Sequence, residues 1–237
     1  VFMIVAGFMF IGIVMTLVID EAIKDPTPPQ TMREAVIEPF RDFIGRAGIA
    51  PALFVLAFLF FYKLGDNMAT ALQTAFFIDV GFTLTQIGAI AKTAGLVAAI
   101  SGGLVGGLIM VKLSINRALW LFGAVQIVSI LGFAALSVVG ANPWMLGFAV
   151  AFEYLGVGLG TAALTAFIAR STNVAFAATQ FALFTALAAT PRTLANATTG
   201  LIVEQVGWTS FFLLCTALAV PGMLLLFKVA PWNEDTA

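Results

Sequence analysis

Residues 50–77 read APALFVLAFLFFYKLGDNMATALQTAFF, and this stretch indicates the fold class of the chain. It exceeds the roughly 20 apolar residues that a helix needs to cross the hydrocarbon core of a bilayer. Lys63, Asp66 and Asn67 nevertheless stand in its middle. A charged side chain at a lipid-facing helix centre costs about 2.5–3.5 kcal/mol on insertion scales. We therefore expect a membrane helix whose polar side chains face the protein interior or a water-filled cavity.

The whole chain has the composition of a membrane protein. It has 237 residues, of which 61% are hydrophobic and 10% are charged, whereas a globular domain has roughly a quarter charged residues. Seven stretches are long and apolar enough to span a bilayer, and together they predict an all-α membrane protein. The predicted spans are residues 1–19, 50–77, 86–110, 118–139, 143–169, 175–203 and 208–229.

The residue inventory excludes several kinds of site. The chain has no histidine and a single cysteine, Cys215, which excludes imidazole relays, His-ligated metals and an internal disulfide. The sequence also lacks a phosphate-binding loop, a nucleophile–base pair and a metal-ligand cluster. We therefore expect a protein that is not an enzyme, needs no cofactor or metal, and has no nucleic-acid partner.

Basic residues orient the predicted spans. Of the eleven Lys and Arg residues, eight lie at one set of span ends, and the opposite ends have none. By the positive-inside rule, the long polar segment before residue 50, the 110–117 loop and the C terminus are cytoplasmic. The eight residues are Lys24, Arg33, Arg41, Arg46, Lys112, Arg117, Arg170 and Lys228.

The order of the spans predicts the division of the chain. Because Val1 already lies in an apolar run, we expect the native protein to continue upstream. The chain is then divided into four parts. These are a transmembrane helix (1–19), a cytoplasmic loop with a short amphipathic helix (20–49), a six-helix bundle (50–229) and a cytoplasmic tail (230–237).

This order resembles the major facilitator type of transporter. Such transporters have two six-helix halves, each a pair of inverted three-helix repeats, and the chain resembles the last helix of the first half followed by the whole second half. The segment GGLIMVKLSINRAL (106–119) resembles the family signature between the second and third helices of a half. It departs from that signature where Val111 or Lys112 stands in place of the usual acid.

Five ionisable residues lie within the predicted spans and are candidate site residues. Three bases against two acids leave net positive charge, which suits an anionic ligand. In a second interpretation they have only structural roles: Lys63 and Asp66 neutralise each other, and Lys92 or Arg192 pairs with Glu153. The five are Lys63, Asp66, Lys92, Glu153 and Arg192.

Helical spacing adds uncharged polar residues to the candidate site. At about 100° per residue, Lys63, Asn67, Thr70 and Thr74 form one stripe of the span 50–77. A similar stripe in the span 175–203 comprises Thr185, Arg192, Asn196 and Thr199. The glycines of GGLVGG (102–107) and GVGLG (156–160) predict faces on which helices pack closely.

Longer stretches resemble AmpG-type muropeptide permeases, which are major facilitators of Gram-negative inner membranes. The resemblance lies in residues 62–96, with KLGD and KTAGL, and in residues 152–192, with GLGTAALTAF and ATQFALF. EPFRDFI, before residue 50, adds to it. The chain departs from the permease pattern at Ala91 and Tyr154, where Asn is frequent.

The resemblance implies proton-driven import of N-acetylglucosaminyl-1,6-anhydro-N-acetylmuramyl peptides for cell-wall recycling, linked in some bacteria to β-lactamase induction. From the charges inside the spans and the two polar stripes, we expect substrate contacts from Lys63, Asn67, Thr70, Lys92, Arg192 and Asn196, and proton coupling through Asp66 or Glu153. The expected partners are the anionic muropeptide, the lipid bilayer and the N-terminal half of the transporter. The alternatives are transport of another organic anion such as acetyl-coenzyme A, a channel, or a membrane scaffold that transports nothing.

Overall fold

The computed structural model describes residues 2–19 and 31–233, and this part of the chain is helical, without a β-strand. The predicted all-α class is therefore confirmed. Residues 20–30 and 234–237 lie outside the described residues, and with them Lys24, the first part of the loop predicted for residues 20–49 and most of the predicted tail. The helices are α1 (Phe2–Val18), α2 (Met32–Ala47), α3 (Ile49–Tyr62), α4 (Leu64–Ala71), α5 (Gln73–Val80), α6 (Leu84–Gln86), α7 (Thr93–Met110), α8 (Ile115–Val139), α9 (Pro143–Ser171) and α10 (Ala177–Val229).

Residues 50–77, predicted as one membrane span, do not form one continuous helix. It is divided at Lys63 (φ −102°, ψ 0°) and at Leu72 (φ −113°, ψ 31°) into α3, α4 and α5. Gly81 then ends α5 with a φ of 110°, a left-handed conformation that favours glycine. The stripe predicted from Lys63 to Thr74 at one constant helical period crosses both of these breaks.

Local sequence signals explain the starts of the longer helices. Thr83 and Gln86 form a capping box, and a π-helical turn from Ile87 to Lys92 joins α6 to α7. The Asn142 side chain accepts hydrogen bonds from the backbone N–H groups of Trp144 and Met145 at the start of α9. These bonds satisfy amide groups that a helix leaves unpaired at its first turn.

Five helical stretches among the described residues are long and apolar enough to cross a membrane. They are Ile49–Ala71, Leu84–Met110, Ile115–Val139, Pro143–Ser171 and Val174–Val229, and a shorter apolar helix lies at Met9–Val18. Gly207, with φ 74° and ψ 165°, interrupts the helical geometry inside α10. The helix therefore consists of two segments, 177–206 and 208–229, each long enough for one crossing at 1.5 Å per residue.

Glycines bring the backbones of two helix pairs together. A Cβ at Gly102 would lie 2.5 Å from the Leu155 carbonyl oxygen, and one at Gly158 would lie 2.6 Å from the Ala99 carbonyl oxygen. Helices α7 and α9 thus touch through their main chains, which confirms the close packing predicted for these glycines. On the other side of the bundle, Gly65 meets the backbone of Cys215, and Gly222 meets the backbone of Tyr62.

The buried apolar side chains form two clusters. One is built around Phe76, Phe133 and Phe212, and the other around Phe58, Leu119 and Phe167. Between these clusters along the helices lies a set of buried polar side chains, which we call the polar layer. Its members are Lys63, Asp66, Gln126, Ser129 and Glu153.

The amphipathic helix α2 docks against the beginning of α10. Asp42 accepts hydrogen bonds from Gln180 (3.0 Å) and Asn173 (3.0 Å) and pairs with Arg46 at 2.9 Å. Burial alone would raise the pKa of Asp42, but these hydrogen bonds and the Arg46 charge together hold it below its usual value. The rings of Phe43 and Phe184 meet edge to face beside them. Helix α2 (Met32–Ala47) lies within the segment 20–49, for which a short amphipathic helix was predicted.

Candidate functional site

A buried ion pair occupies the junction of α3 and α4. The Lys63 Nζ donates to Asp66 Oδ2 at 2.6 Å, and the two side chains are only 11% and 4% exposed. Asp66 Oδ1 accepts from the backbone N–H of Asn67, and Lys63 also lies 3.4 Å from the Thr161 hydroxyl on α9. The mutual neutralisation considered from the sequence is therefore present, and it sits at a break in a membrane helix.

Glu153 is the second acid of the polar layer and is completely buried. Its Oε2 accepts a hydrogen bond from the Ser129 hydroxyl of α8 at 2.7 Å, while its Oε1 has no partner among the described residues. The charges of Asp66 and Lys63 act on this carboxyl electrostatically. The layer thus contains one base and two acids, so one carboxyl group is left without its own counter-charge.

A second set of polar residues lines a cavity of about 130 Å³, which we call the Tyr154 cavity. The Tyr154 hydroxyl donates to Gln73 Oε1 at 2.8 Å across one wall. The exposed Lys92, at the end of the π-helical turn, lines the same cavity, and such turns are frequent at functional sites. The remaining lining residues are Phe77, Ala91, Gly95 and Leu96.

Arg192 belongs to the same region as the Tyr154 cavity. It is exposed on α10, and its positive charge acts electrostatically on the Tyr154 hydroxyl. Asn196, one turn further along α10, is also exposed. Asn67 and Thr70 on α4 are half-buried, and the Thr70 hydroxyl donates to the Asp66 carbonyl oxygen at 2.7 Å.

The structure divides the candidate residues into two groups. Lys63 and Asp66 lie with Glu153 in the polar layer, whereas Lys92 and Arg192 lie around Tyr154. The alternative in which Lys92 or Arg192 pairs with Glu153 is wrong, because neither base lies within ion-pair distance of the Glu153 carboxylate in the described structure.

Sequence reasoning missed four residues of these groups as site members. Gln126 and Ser129 belong to the polar layer, while Gln73 and Tyr154 belong to the cavity. All four are uncharged, and none is a member of the two polar stripes predicted in the spans 50–77 and 175–203. Polar residues in apolar spans would have been a usable signal, since Gln126 and Ser129 are spaced three apart in the span 118–139 and share one helix face.

Fold and site together define a helical membrane protein in which buried charges lie between packed helices. The family model described as Major Facilitator Superfamily matches residues 1–196, and the chain belongs to that family. No group of three or more metal-ligating side chains occurs in the described ranges.

Comparison with individual proteins identifies relatives of the chain within this family. The chain is 40% identical to the anhydromuropeptide permease of Escherichia coli K12 over 98% of its own length and 47% of the permease. It is 45% identical to an uncharacterized protein of Haemophilus influenzae over 99% of the chain and 57% of that protein. It is 32% identical to a Rickettsia felis transporter called AmpG 4, over 81% of the chain and 46% of the transporter.

The chain therefore spans about half the length of the curated relatives it matches. The AmpG-type resemblance stated from the sequence is confirmed. The names of the E. coli and Rickettsia felis relatives describe a permease and a transporter, in agreement with the expectation that the chain is not an enzyme. They do not favour the acetyl-coenzyme A alternative.

Proposed function

We propose that this chain is the C-terminal part of a proton-coupled transporter that imports anhydromuropeptides across the bacterial inner membrane. The substrates are N-acetylglucosaminyl-1,6-anhydro-N-acetylmuramyl peptides, and the import serves cell-wall recycling and, in some bacteria, β-lactamase induction. The observation that carries the proposal is the polar layer of one base and two acids between two apolar clusters. The printed name of the E. coli relative supports the substrate class.

The polar layer suits a proton-coupling role. Asp66 is ionised when it pairs with Lys63, and a proton delivered to Asp66 would remove the charge that holds the Lys63 ammonium group. Glu153 lies within the electrostatic reach of both groups. Because low-dielectric surroundings strengthen such interactions, one proton can change the packing of α4 against α8 and α9. This coupling links protonation to helix movement.

The Tyr154 cavity suits a substrate role. Lys92 and Arg192 supply positive charge, and the Tyr154–Gln73 pair supplies hydrogen-bonding groups beside apolar walls. A muropeptide combines carboxylates with sugar rings, which is chemistry that such a mixed surface can bind. Asn196 lies on the same exposed side of α10, while Asn67 and Thr70 extend the polar surface of α4. We assign the carboxylates of the peptide to Lys92 and Arg192.

The exposed side chains of this region imply a partner. Lys92, Arg192 and Asn196 would face a water-filled pathway once the N-terminal six-helix half is in place. The long loop, the 110–117 loop and the C terminus lie on the cytoplasmic side in this proposal, because the basic residues gather there. Substrate then enters from the periplasmic side.

The test uses the full-length protein in proteoliposomes with an inward proton gradient. We expect uphill uptake of labelled muropeptide together with alkalinisation of the external medium. Asp66→Asn and Glu153→Gln should reduce uphill uptake, and retention of full uphill uptake by both variants would place the coupling acid elsewhere. If uptake by the unmodified protein did not depend on the proton gradient, proton coupling would be refuted.

A second experiment tests the assignment of the carboxylates. Charge-assisted hydrogen bonds contribute about 1.5–3 kcal/mol, so Lys92→Gln should weaken binding of the peptide-bearing substrate by about ten- to hundredfold. The matched control is the same disaccharide with its lactyl carboxyl group as a methylamide in place of the peptide, so that it carries no carboxylate and its affinity should change little. Equal losses for both ligands would assign Lys92 to a structural role or to the sugar.

A further inference from the structure

The Gln126 side chain is buried in the polar layer with its hydrogen-bonding groups unused. It is 4% exposed, and neither Nε2 nor Oε1 has a hydrogen-bond partner among the described residues. The Gln126 amide lies against Gly160 of α9, in the space that a Cβ at that position would occupy. Only glycine at position 160 therefore leaves room for the amide. A buried amide without partners destabilises a fold, and its presence indicates a binding partner.

A small cavity joins Gln126 to the ion pair. Its volume is about 10 Å³, and its lining includes Asp66, Gln126 and Tyr62. A cavity needs roughly 10–15 Å³ and two to four polar partners to hold one water molecule. The Tyr62 hydroxyl already donates to the Leu119 carbonyl oxygen at 3.0 Å, so Asp66 and Gln126 are the groups that can bind both ends of such a water.

The location of this cavity matters for proton movement. Asp66 Oδ2 already accepts from Lys63, and Oδ1 accepts from the Asn67 backbone. A carboxylate oxygen has more than one lone pair, so a water in the cavity can reach Asp66 without displacing Lys63. The cavity lies where α4, α8 and the second segment of α10 meet, and the cavity lining contains Ala219 and Met223 of that segment.

We propose that Gln126 is a positioning residue that holds one water against Asp66, and that a proton reaches the Lys63–Asp66 pair through this water. The proposal rests on the proposed function. In the step, a protonated water gives one proton to an Asp66 oxygen and becomes neutral water. The Lys63 ammonium group keeps its protons and loses its ionic partner. The amide of Gln126 binds the water in both states, because it carries both a donor and an acceptor.

Other titratable groups face the same cluster. They are Lys63 and Tyr62 at the end of α3, Glu153 on α9 and Cys215 on α10. Because these groups also titrate, a shift in the pH profile of transport is attributed to Gln126 only when a variant of Gln126 itself produces it. Gln126→Met keeps the length of the side chain and removes its hydrogen-bonding groups. Gln205→Met makes the same replacement at an exposed position of α10.

The experiment compares two activities of the full-length protein in proteoliposomes. In Gln126→Met we expect uphill muropeptide uptake to fall by about tenfold or more, while gradient-independent exchange of labelled for unlabelled substrate stays within about twofold. The pH dependence of uptake should also shift. Gln205→Met should match the unmodified protein in both activities.

Three outcomes would overturn the proposal. They are unchanged uphill uptake in Gln126→Met, an equal fall in uptake and exchange, and an unaltered pH profile. If Gln126→Met is poorly folded, Gln126→Asn keeps the amide at a shorter reach and should retain part of the proton-driven uptake. The proposal would also be contradicted if uphill uptake by Gln126→Asn were no higher than uphill uptake by Gln126→Met. If the unmodified protein shows no proton-driven uptake, the proposed function fails instead, and the two failures are thus distinguishable.

Discussion

Lys63 lies at a break in the helix backbone and is also the basic member of a buried ion pair. It is the residue at which α3 ends and α4 begins, and its ammonium group binds the carboxylate that stands three positions later. The break occurs between two close contacts with α10: Gly222 of α10 meets the backbone of Tyr62, and Gly65 of α4 meets the backbone of Cys215. The ion pair is therefore held by close backbone packing, and its two members should depend on each other.

The first prediction tests this dependence at the residue scale. Lys63→Met leaves the buried Asp66 carboxylate without its counter-charge, and removing one partner of a buried pair costs about 3–5 kcal/mol. The double variant Lys63→Met, Asp66→Asn leaves no charge and should regain most of that loss. Thermal unfolding of the full-length protein in detergent measures both. A double variant as unstable as the single one would show that the pair contributes no coupling energy.

Residue patterns predicted part of the site. The charges of Lys63, Asp66 and Glu153 were expected to face inward because lipid exposure is costly, and all three are buried. The partners of Glu153 and Tyr154 could not be predicted in the same way. Ser129 and Gln73 reach them from other helices, and such contacts depend on how far each helix is rotated, which the sequence pattern leaves open.

At the element scale, the packing of α7 on α9 decides the shape of the bundle. Gly102 and Gly158 bring the two backbones into contact, whereas Gly107 on the same helix α7 faces open space. The small residues were readable from the sequence, because GGLVGG and GVGLG have the spacing of close helix pairs. Which glycine of each group makes the contact was not readable, because adjacent glycines lie on different helix faces.

The second prediction uses this difference between glycines. Gly158→Ala places a methyl group against the backbone of α7 and should destabilise the protein by about 1–3 kcal/mol, the usual cost of overpacking. Gly107→Ala should be neutral or slightly stabilising, because its methyl group meets nothing and alanine favours helices. Thermal unfolding measures both variants, and equal effects would mean that α7 and α9 are not in backbone contact.

The third prediction concerns the docking of α2 on α10. The pKa of Asp42 is lowered in the folded state, so its hydrogen bonds stabilise the docked helix above the ordinary carboxyl pKa of about 3.9. That stabilisation is lost as the pH falls through the lowered value. Hydrogen exchange of the α2 amides should accelerate, relative to the intrinsic rate, as the pH falls below about 4. Asp42→Asn should remove this dependence, and an unchanged pH response would exclude Asp42 as its source.

At the scale of the whole molecule, the bundle exposes two kinds of surface. One face of α7 is apolar, with Ile100, Leu104 and Leu108 exposed, as lipid contact requires. Another face is polar, with Lys92, Arg192 and Thr74 exposed. The sequence predicted that polar side chains would avoid lipid. It could not tell which face the N-terminal half would meet, because the chain spans about half of its relatives' length.

The last prediction distinguishes these surfaces in the full-length protein lacking Cys215. Single cysteines at Thr74 and Asn196 should react with a membrane-impermeant thiol reagent, because the polar face would border water between the two halves. Muropeptide should protect both positions, since the proposed function places bound substrate on that surface. A cysteine at Leu104 is the matched control, also exposed in this chain but expected in lipid, where the thiol stays protonated and the reagent cannot reach it. Labelling at Leu104 together with inert Thr74 and Asn196 would mean that the transport pathway lies on the other side of the bundle.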